Sequence, residues 1–385
     1  MAGWARAANP SSQVLLVEDS MKVLALASYP GEAAATRYRL QQFVAPLADR
    51  GIDLTIHPFL DSQLFGRLYS HQASPRTFLS LTKAALARFG EVQAAREANV
   101  VLIQREAMLF GPPLIEWLTT QAAKRPMVLD LDDATYVSYT SPTYGRLGKY
   151  LKWFSKTDDL IRWATLVICG NRAIADYVSS KGATARVIPT VVNTNIFRPP
   201  THANDGELVL GWIGTHSTFP YLKSIFQVLE KLAERYSFRL KVVGAGITDL
   251  AIRGVQVENL QWNLEREVHD FQSIDIGLYP IDASLYSGKW AEGKSGFKAI
   301  QYMAVGVPYV ATPVGASAEI GEPGQTHLFA SSDDEWYSAL ESLISDSETR
   351  RRMGAAGRRH VTEHYKLSKQ ADKLADALRE VSAGS

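Results

Sequence analysis

The chain has 385 residues, of which 46% are hydrophobic and 21% charged, and it is long enough to bury a large core, most simply as two domains. Its 41 basic and 40 acidic residues give a net charge of +1, which argues against nucleic acid or another polyanion as the main partner. A single cysteine, Cys169, excludes a disulfide within the chain and favours a buried thiol in a reducing cytoplasm.

No uninterrupted apolar stretch reaches the roughly 18 residues that predict a membrane span. The first twenty residues contain Arg6, Glu18 and Asp19 and lack the long apolar centre of a secretory signal. We therefore expect residues 1–20 to be a flexible leader. We expect the protein in the cytoplasm, either free or peripheral at the inner face of the cell membrane.

From Lys22 onward, strand and helix patterns alternate with little interruption. The predicted strands of the first half are 22–28, 52–57, 99–104, 127–131, 165–169 and 185–188. The predicted helices are 34–49, 75–97, 111–124, 146–163 and 171–181. Such alternation is typical of a parallel sheet with helices on both faces.

After Pro189, the polar segment TVVNTNIFRPPTHANDG is the best linker in the sequence, and a second alternation follows it. Its predicted strands are 207–214, 238–243, 255–260, 275–279, 307–311 and 327–330. Its predicted helices are 222–236, 264–273, 294–304, 333–345, 347–359 and 366–381. Glu265 and Glu267 are expected to do no more than begin a helix. The predicted fold is α/β, with two Rossmann-like, doubly wound parallel-sheet domains (21–198 and 199–365) facing each other across a cleft, and with residues 366–385 as a helix packing back on the first domain.

The stretch GKSGFKAIQYMAVGVPYVATPV, residues 293–314, is the strongest candidate for a binding site. Lys294 and Lys298 flank Gly296 where a helical pattern begins. A glycine there lets backbone N–H groups approach an anion, and the helix dipole and two ammonium groups attract it further. The alternative is an ordinary loop, helix and strand with solvated lysines. Ligands of doubly wound sheets bind beyond the carboxyl ends of the strands, where this stretch and the loop from Gly214 lie, which favours the site.

These stretches resemble a known family. LGWIGTHSTFPYLK (210–223), DIGLYPID (275–282), GKSGFKAIQYMAVGVPYVATPVG (293–315) and DSETRRRMGAAGRRHVTEHY (346–365) are similar to the donor domain of the retaining glycosyltransferases of family 4, which have the GT-B fold. The resemblance extends from Lys22 to Tyr365. It implies transfer of a sugar from a nucleotide-diphosphate donor to an acceptor with retained anomeric configuration and without an obligatory metal.

The resemblance assigns donor-side roles residue by residue. Gly296 and Phe297 match the positions whose backbone N–H groups meet the diphosphate. Gln301 stands where relatives have a glutamate for the ribose, and its amide keeps an acceptor oxygen. Thr215 and Pro220 stand where relatives bring an arginine and a lysine. The further donor-binding candidates are therefore Lys294 and Lys298 for the phosphate charge, with Gly214, Thr215 and His216 in the neighbouring loop.

In the first domain, the family's catalytic-centre position aligns with Asp132 and Asp133, and we expect these with Lys298 to be catalytic. Asp130-Leu131-Asp132 has an alternative interpretation, as a metal-holding acidic motif. The acceptor-side candidates are Gly31, Arg37, Arg105 and Glu106. For the last two, pairing with each other at the surface is the alternative. The stretch RLGKYLKWFSK (146–156) alternates basic and aromatic residues, so it either rests on an anionic membrane or is a solvated helix with a buried aromatic stripe.

The function expected is that of a nucleotide-sugar-dependent glycosyltransferase, needing no cofactor, whose acceptor is a carbohydrate, a lipid-linked molecule or a small molecule, as in polysaccharide biosynthesis. Two alternatives remain: a non-catalytic nucleotide-sugar binding protein, and a nucleotide-sugar epimerase of the same fold. The sequence predicts neither the base, the sugar, the acceptor nor the oligomeric state.

Overall fold

A computed structural model of the chain describes residues 20–69, 75–138, 152–201, 206–284 and 288–384. In these residues it contains two six-stranded sheets in which every pair of neighbouring strands is parallel. The predicted fold class is confirmed. All predicted strands are present, and their bounds lie within two residues of those expected.

The first sheet has the strand order β2-β1-β3-β4-β5-β6. Its strands are β1 (Met21–Ala27), β2 (Ile52–Pro58), β3 (Val100–Gln104), β4 (Met127–Leu131), β5 (Leu166–Cys169) and β6 (Ala185–Val187). The helices of this half are α1 (Ala34–Arg39), α2 (Val44–Ala48), α3 (Ser62–Tyr69), α4 (Pro75–Ala87), α5 (Glu91–Glu97), α6 (Leu114–Trp117), α7 (Lys156–Trp163) and α8 (Arg172–Ser180). The central strands β3, β4 and β5 are buried along their whole length, as expected for a sheet covered on both faces.

The second sheet has the order β12-β11-β10-β7-β8-β9. Its strands are β7 (Val209–Ile213), β8 (Arg239–Val243), β9 (Gln256–Leu260), β10 (Ile276–Tyr279), β11 (Tyr309–Ala311) and β12 (Leu328–Phe329). Its helices are α9 (Phe219–Lys223), α10 (Phe226–Ala233), α11 (Glu267–Gln272), α12 (Gly288–Glu292), α13 (Phe297–Ala304), α14 (Asp333–Ser345) and α15 (Ser347–His364). A last helix, α16 (Leu367–Ala383), follows.

Helix α16 packs on the first sheet although it follows the second in the chain. Its residues Leu374 and Leu378 belong to the same core cluster as Val23 on β1 and Leu102 on β3. The opposite face of the first sheet forms a separate core with α5, α7 and α8. The chain therefore crosses between the two domains twice, once through residues 188–201 and once after α15.

Three long predicted helices are interrupted. The pattern over 75–97 forms α4 and α5 with a short 3₁₀ turn at Arg88–Gly90 between them. The pattern over 34–49 forms α1 and α2 with a short 3₁₀ turn at Gln41–Phe43 between them. The break places Pro46 in the first turn of α2, where its missing N–H is not needed, whereas in a continuous helix its ring would clash with the Gln42 carbonyl. The pattern over 222–236 is broken at Ser224, whose hydroxyl donates to the Tyr221 carbonyl at 2.8 Å. Of the predicted helix 146–163, residues 146–151 lie outside the described residues.

Candidate functional site

Gly296 begins helix α13 in the left-handed backbone conformation, with φ 65° and ψ 10°. A Cβ atom at this position would lie 2.3 Å from Cδ1 of Ile320 and 3.1 Å from Cβ of Ala316. Both the backbone angle and the close packing therefore require glycine. The N–H groups of the first helical turn lack i−4 acceptors, so they can bind an anion at the helix start.

Lys298 is the second residue of α13 and is half-buried. Its Nζ donates to Oε1 of Gln301 at 3.1 Å and lies 5.3 Å from the ring centre of Phe271. Burial lowers the pKa of Lys298 to about 8, and the nearby Glu267 carboxylate opposes that shift only partly. Gln301 is fully buried, and its Nε2 has no hydrogen-bond partner among the described residues. An unused buried donor beside a cation suits a polar ligand.

Lys294 connects the donor-site segment to the first domain. Its Nζ lies 3.7 Å from Oδ1 of Asp133 and 4.4 Å from the ring centre of Trp290. Its carbonyl oxygen accepts a 3.0 Å hydrogen bond from Nδ2 of Asn171, at the start of α8. The predicted phosphate lysine is thus paired with a predicted catalytic carboxylate across the cleft.

Gly293, next to Lys294, allows the two domains to approach this closely. A Cβ there would lie 2.3 Å from Cβ of Ala134, which belongs to the loop after β4. The space that a side chain at position 293 would take is therefore filled by Ala134 of the first domain.

Arg105 holds the two aspartates at the end of β4. Its Nη2 donates to Oδ2 of Asp132 at 2.6 Å and to Oδ2 of Asp133 at 2.9 Å. Arg105 has φ 60°, an uncommon value for a residue with a side chain, and its backbone N–H donates to the Asp130 carbonyl at 2.8 Å. Burial acts to raise the pKa of Asp132, but the Arg105 guanidinium outweighs it, and the net pKa lies below the usual range. The Asp132 carboxylate is therefore held ionised at the cleft.

Asp130 does not share a site with Asp132. Its carboxylate is bound by the buried guanidinium of Arg39, which also donates to the Ile188 carbonyl at 2.6 Å. Asp130 and Asp132 are thus each paired with a different arginine. Among the described residues, no group of three or more His, Cys, Asp or Glu side chains could hold a metal ion.

Glu106 is buried and pairs with lysines rather than with Arg105. Its Oε2 lies 2.9 Å from Nζ of Lys156, and its Oε1 lies 3.4 Å from Nζ of Lys152. Burial raises the pKa of Glu106, and the two lysines overcome that effect and lower it below the usual range. The structure thus does not bring Glu106 and Arg105 into one ion pair, and both side chains are engaged elsewhere.

Arg37 reaches across the cleft to a residue that the sequence did not single out as functional. Its Nη2 donates to Oε2 of Glu267 at 3.1 Å, and the Tyr38 hydroxyl donates to the same oxygen at 2.7 Å. Nη1 of Arg37 also donates to the carbonyl oxygens of Gly31 and Glu32, at 3.4 and 2.9 Å. Glu267 followed the pattern of a helix start, and no sequence signal distinguished a capping glutamate from an interdomain one.

The loop after β7 faces the same cleft. The backbone N–H of Thr215 donates to Oγ1 of Thr218 at 3.1 Å, which turns the chain into α9. A Cβ on Gly214 would lie 2.8 Å from that same oxygen, and a Cβ on Gly246 would lie 2.7 Å from Cβ of His216. His216 therefore packs against the glycine turn that follows β8. Of the predicted donor residues, Lys294 makes the direct contacts with the first domain described above, while 214–216 form the neighbouring wall.

Comparison with known proteins supports this architecture. Residues 226–376 match a family model described as "Glycosyl transferase-like". This segment contains α10 to α15 and the 293–315 stretch, and covers less than half of the chain. No curated protein matches the sequence.

Solved structures resemble almost the whole chain. HepE from Anabaena in complex with UDP-glucose has a TM-score of 0.66 at 16% identity, covering 94% of this chain and 100% of its own. Sucrose-phosphate synthase from Thermosynechococcus elongatus has a TM-score of 0.65 at 14% identity, and covers 95% and 100%. A glycosyltransferase from Rickettsia africae has a TM-score of 0.67 at 13% identity, and the match covers 95% of this chain and 100% of the other.

At these identities the likeness shows the fold, which is that of the GT-B glycosyltransferases. The fold and the glycosyl transferase-like segment together support the predicted class of enzyme, a glycosyltransferase. Within the described residues, no helix has both the length and the apolar character needed to cross a membrane.

Proposed function

We propose that this protein is a retaining glycosyltransferase that moves a sugar from a nucleotide-diphosphate sugar to an acceptor hydroxyl. The observation that carries this proposal is the arrangement around Gly296, where Lys294 and Lys298 flank a glycine-started helix and Lys294 faces Asp133 of the other domain at 3.7 Å. The bound UDP-glucose of the HepE structure supports a nucleotide sugar as the donor class.

The second domain would hold the donor. Backbone N–H groups at the start of α13 and the ammonium groups of Lys294 and Lys298 would bind the diphosphate. Gln301, with its unpaired Nε2, would donate to a ribose hydroxyl. Because Thr215 and Pro220 carry no charge, the two lysines supply most of the positive charge that stabilises the leaving group.

The first domain would present the acceptor near Asp132 and Asp133. The bond between the anomeric carbon and the diphosphate oxygen breaks, and the acceptor oxygen forms a bond to that carbon on the same face of the sugar. The acceptor proton passes to the leaving phosphate oxygen, so atoms and charge balance without a separate general base. Asp133, released from Lys294 when phosphate takes its place, would lie next to the positive charge that develops on the sugar.

A thermal-shift screen against nucleoside diphosphates and their sugars tests the donor site. A specific ligand at a hundred times its dissociation constant should add about 2.7 kcal/mol of stability. The double variant Lys298→Ala/Gln301→Ala should lose that shift. Lys223→Ala, an exposed lysine near the same loop, should keep it and serves as the control. Unchanged binding and turnover in the double variant would contradict the assignment. The anomeric configuration of the product, read by NMR, tests retention.

One alternative has specific support, a nucleotide-sugar binding protein without turnover. The glutamine at 301 and the uncharged residues at 215 and 220 favour it. This alternative predicts donor binding with no transfer and no slow hydrolysis of the donor. Incubation with the bound nucleotide sugar, followed by detection of released nucleoside diphosphate, separates the two.

A further inference from the structure

Helix α4 is apolar on two of its faces. The first face packs inward, since Leu81, Ala84 and Ala85 join the cluster built on Phe59, Leu60 and Leu64. The second face is open to solvent. Four large apolar side chains on α4 and just beyond it are exposed: Phe78 (74%), Leu79 (56%), Leu86 (65%) and Phe89 (49%).

These four residues, the α4 surface, share one side of the helix. At about 100° per residue, Phe78, Leu79 and Leu86 lie within an arc of about 100°, with Thr82 as the polar residue between them. Phe89 continues that side in the short 3₁₀ turn Arg88–Gly90. Isolated exposed apolar residues are ordinary, but a stripe of four with two phenylalanines indicates contact with an apolar partner.

Positive charge borders the α4 surface. Lys83 and Arg76 are both exposed and lie along one edge of this surface. With Phe78 placed at 0° around the helix axis, Lys83 lies at about 140° and Arg76 at about 160°. From residue 62 to residue 90 the sequence contains no aspartate or glutamate, and of its four basic residues only Arg88 is buried. A partner that is apolar inside and negatively charged at its surface complements this pattern.

A second copy of the chain complements it less well. A two-fold contact through this face would place Arg76 and Lys83 of one copy close to the same residues of the other copy, where their positive charges repel. The exposed area of the four side chains is on the order of 400 Å², about half of the roughly 800 Å² that each partner of a stable dimer buries. An anionic lipid surface needs no matching protein face and attracts the cations.

We propose that the α4 surface docks the protein on an anionic lipid membrane. The helix, about 20 Å long, would lie in the plane of the interface, with the phenylalanine and leucine side chains among the acyl chains and the cations at the headgroups. Each basic residue near such a surface raises partitioning about fivefold. This attachment does not depend on the transfer reaction and differs from a contact through residues 146–156.

Vesicle co-sedimentation with the full chain tests the proposal. The unmodified protein should sediment with phosphatidylglycerol-containing vesicles and not with pure phosphatidylcholine vesicles. Phe78→Ser/Leu86→Ser should reduce the partition coefficient at least tenfold, and Arg76→Glu/Lys83→Glu should reduce it at low salt. Ile196→Ser removes an apolar side chain of comparable exposure, 58%, elsewhere and should leave binding unchanged. Because all these positions are exposed, the melting temperatures should match that of the unmodified protein.

Three results would overturn the proposal. The first is equal sedimentation with both lipid compositions. The second is vesicle binding that survives Phe78→Ser/Leu86→Ser but is lost in Trp153→Ser, which would place the contact on the 152–156 segment. The third is a dimer in analytical ultracentrifugation that Phe78→Ser/Leu86→Ser dissociates, without any vesicle binding. Since none of these assays measures sugar transfer, their outcome is separate from that of the proposed function.

Discussion

The carboxylate of Glu267, in the second domain, accepts a 2.7 Å hydrogen bond from the hydroxyl of Tyr38, in the first. Arg37 adds a 3.1 Å ion pair to the same oxygen, and its guanidinium lies 5.2 Å from the ring centre of Trp262. The side chain of Glu267 is only 6% exposed, so water does not compete strongly with these donors. The contact joins α1 to the start of α11 and helps to hold the cleft closed.

Replacing Tyr38 with phenylalanine should therefore open the cleft. Removal of one hydrogen bond to a buried carboxylate should lower the free energy of unfolding by about 1–3 kcal/mol. It should also enlarge the radius of gyration of the ligand-free protein, measured by small-angle X-ray scattering. Tyr236→Phe removes a 2.9 Å hydrogen bond to Glu341 within the second domain and should leave the scattering unchanged. Identical scattering from both variants would show that Tyr38 does not set the domain closure.

The depressed pKa of Lys298 predicts that donor binding weakens in mild alkali. The ammonium form attracts the diphosphate, and its fraction falls as the pH rises through about 8. Affinity for a nucleoside diphosphate should therefore be constant below about pH 7 and decline above pH 8. Lys298→Arg keeps its charge to much higher pH and should remove the decline. Isothermal titration calorimetry from pH 6.5 to 9.5 measures the affinity of the unmodified protein and of Lys298→Arg. If the affinity of Lys298→Arg also declines above pH 8, a group other than Lys298 causes the decline.

The fold was predictable because its signals are local. Buried parallel strands such as 100–104 and 127–131 are short continuous apolar runs in the sequence. Their alternation with helical patterns predicts that the sheet is parallel. The interruptions of the predicted helices were harder to predict, because the apolar spacing continues through the break before Pro46. Only the proline itself indicated that the helix could not be continuous.

The candidate site was predictable only in part. Gly296 and the lysines were found from a helix start and a family resemblance, both of which concern neighbouring residues. The partners of these residues are distant in sequence, as with Asp133 for Lys294 and Glu267 for Arg37. A single sequence contains no signal for such pairs. The acidic run at 130–133 was ambiguous for the same reason, because Arg39 and Arg105 separate its carboxylates only in three dimensions.

Arg105→Ala should both destabilise the protein and impair turnover. It would leave Asp132, whose side chain is 7% exposed, as a buried charge without its main partner, at a cost of about 3–5 kcal/mol. Arg105→Ala/Asp132→Asn removes that charge as well and should recover part of the stability but not the activity. Thermal unfolding and initial rates measure the two effects.

The matched control is Arg172→Ala. Arg172 pairs with Glu319 across the same cleft at 3.7 Å, but the two side chains are 79 and 48% exposed. An exposed pair contributes about 0–1 kcal/mol, so this variant should unfold almost as the unmodified protein does. Equal losses for Arg105→Ala and Arg172→Ala would mean that burial of the carboxylates is not what makes Arg105 important.

Gly296→Ala should abolish the donor site through two separable effects. Its φ of 65° is unfavourable for alanine by about 1–2 kcal/mol, and its Cβ would lie 2.3 Å from Cδ1 of Ile320. Gly324 also has a positive φ, 78°, but no atom lies within 4 Å of a Cβ built there. Gly324→Ala therefore measures the backbone effect alone, and Gly296→Ala should cost more.

The second-site variant Ile320→Val removes the Cδ1 atom with which the new methyl group collides. Gly296→Ala/Ile320→Val should recover stability relative to Gly296→Ala, as measured by chemical unfolding, because the remaining neighbour, Ala316 Cβ at 3.1 Å, requires a smaller shift. Nucleotide binding should recover less than stability does, since the strained backbone still displaces the first-turn N–H groups from the phosphate. Full recovery of both would show that Gly296 serves packing alone, and no recovery of either would show that the backbone angle dominates.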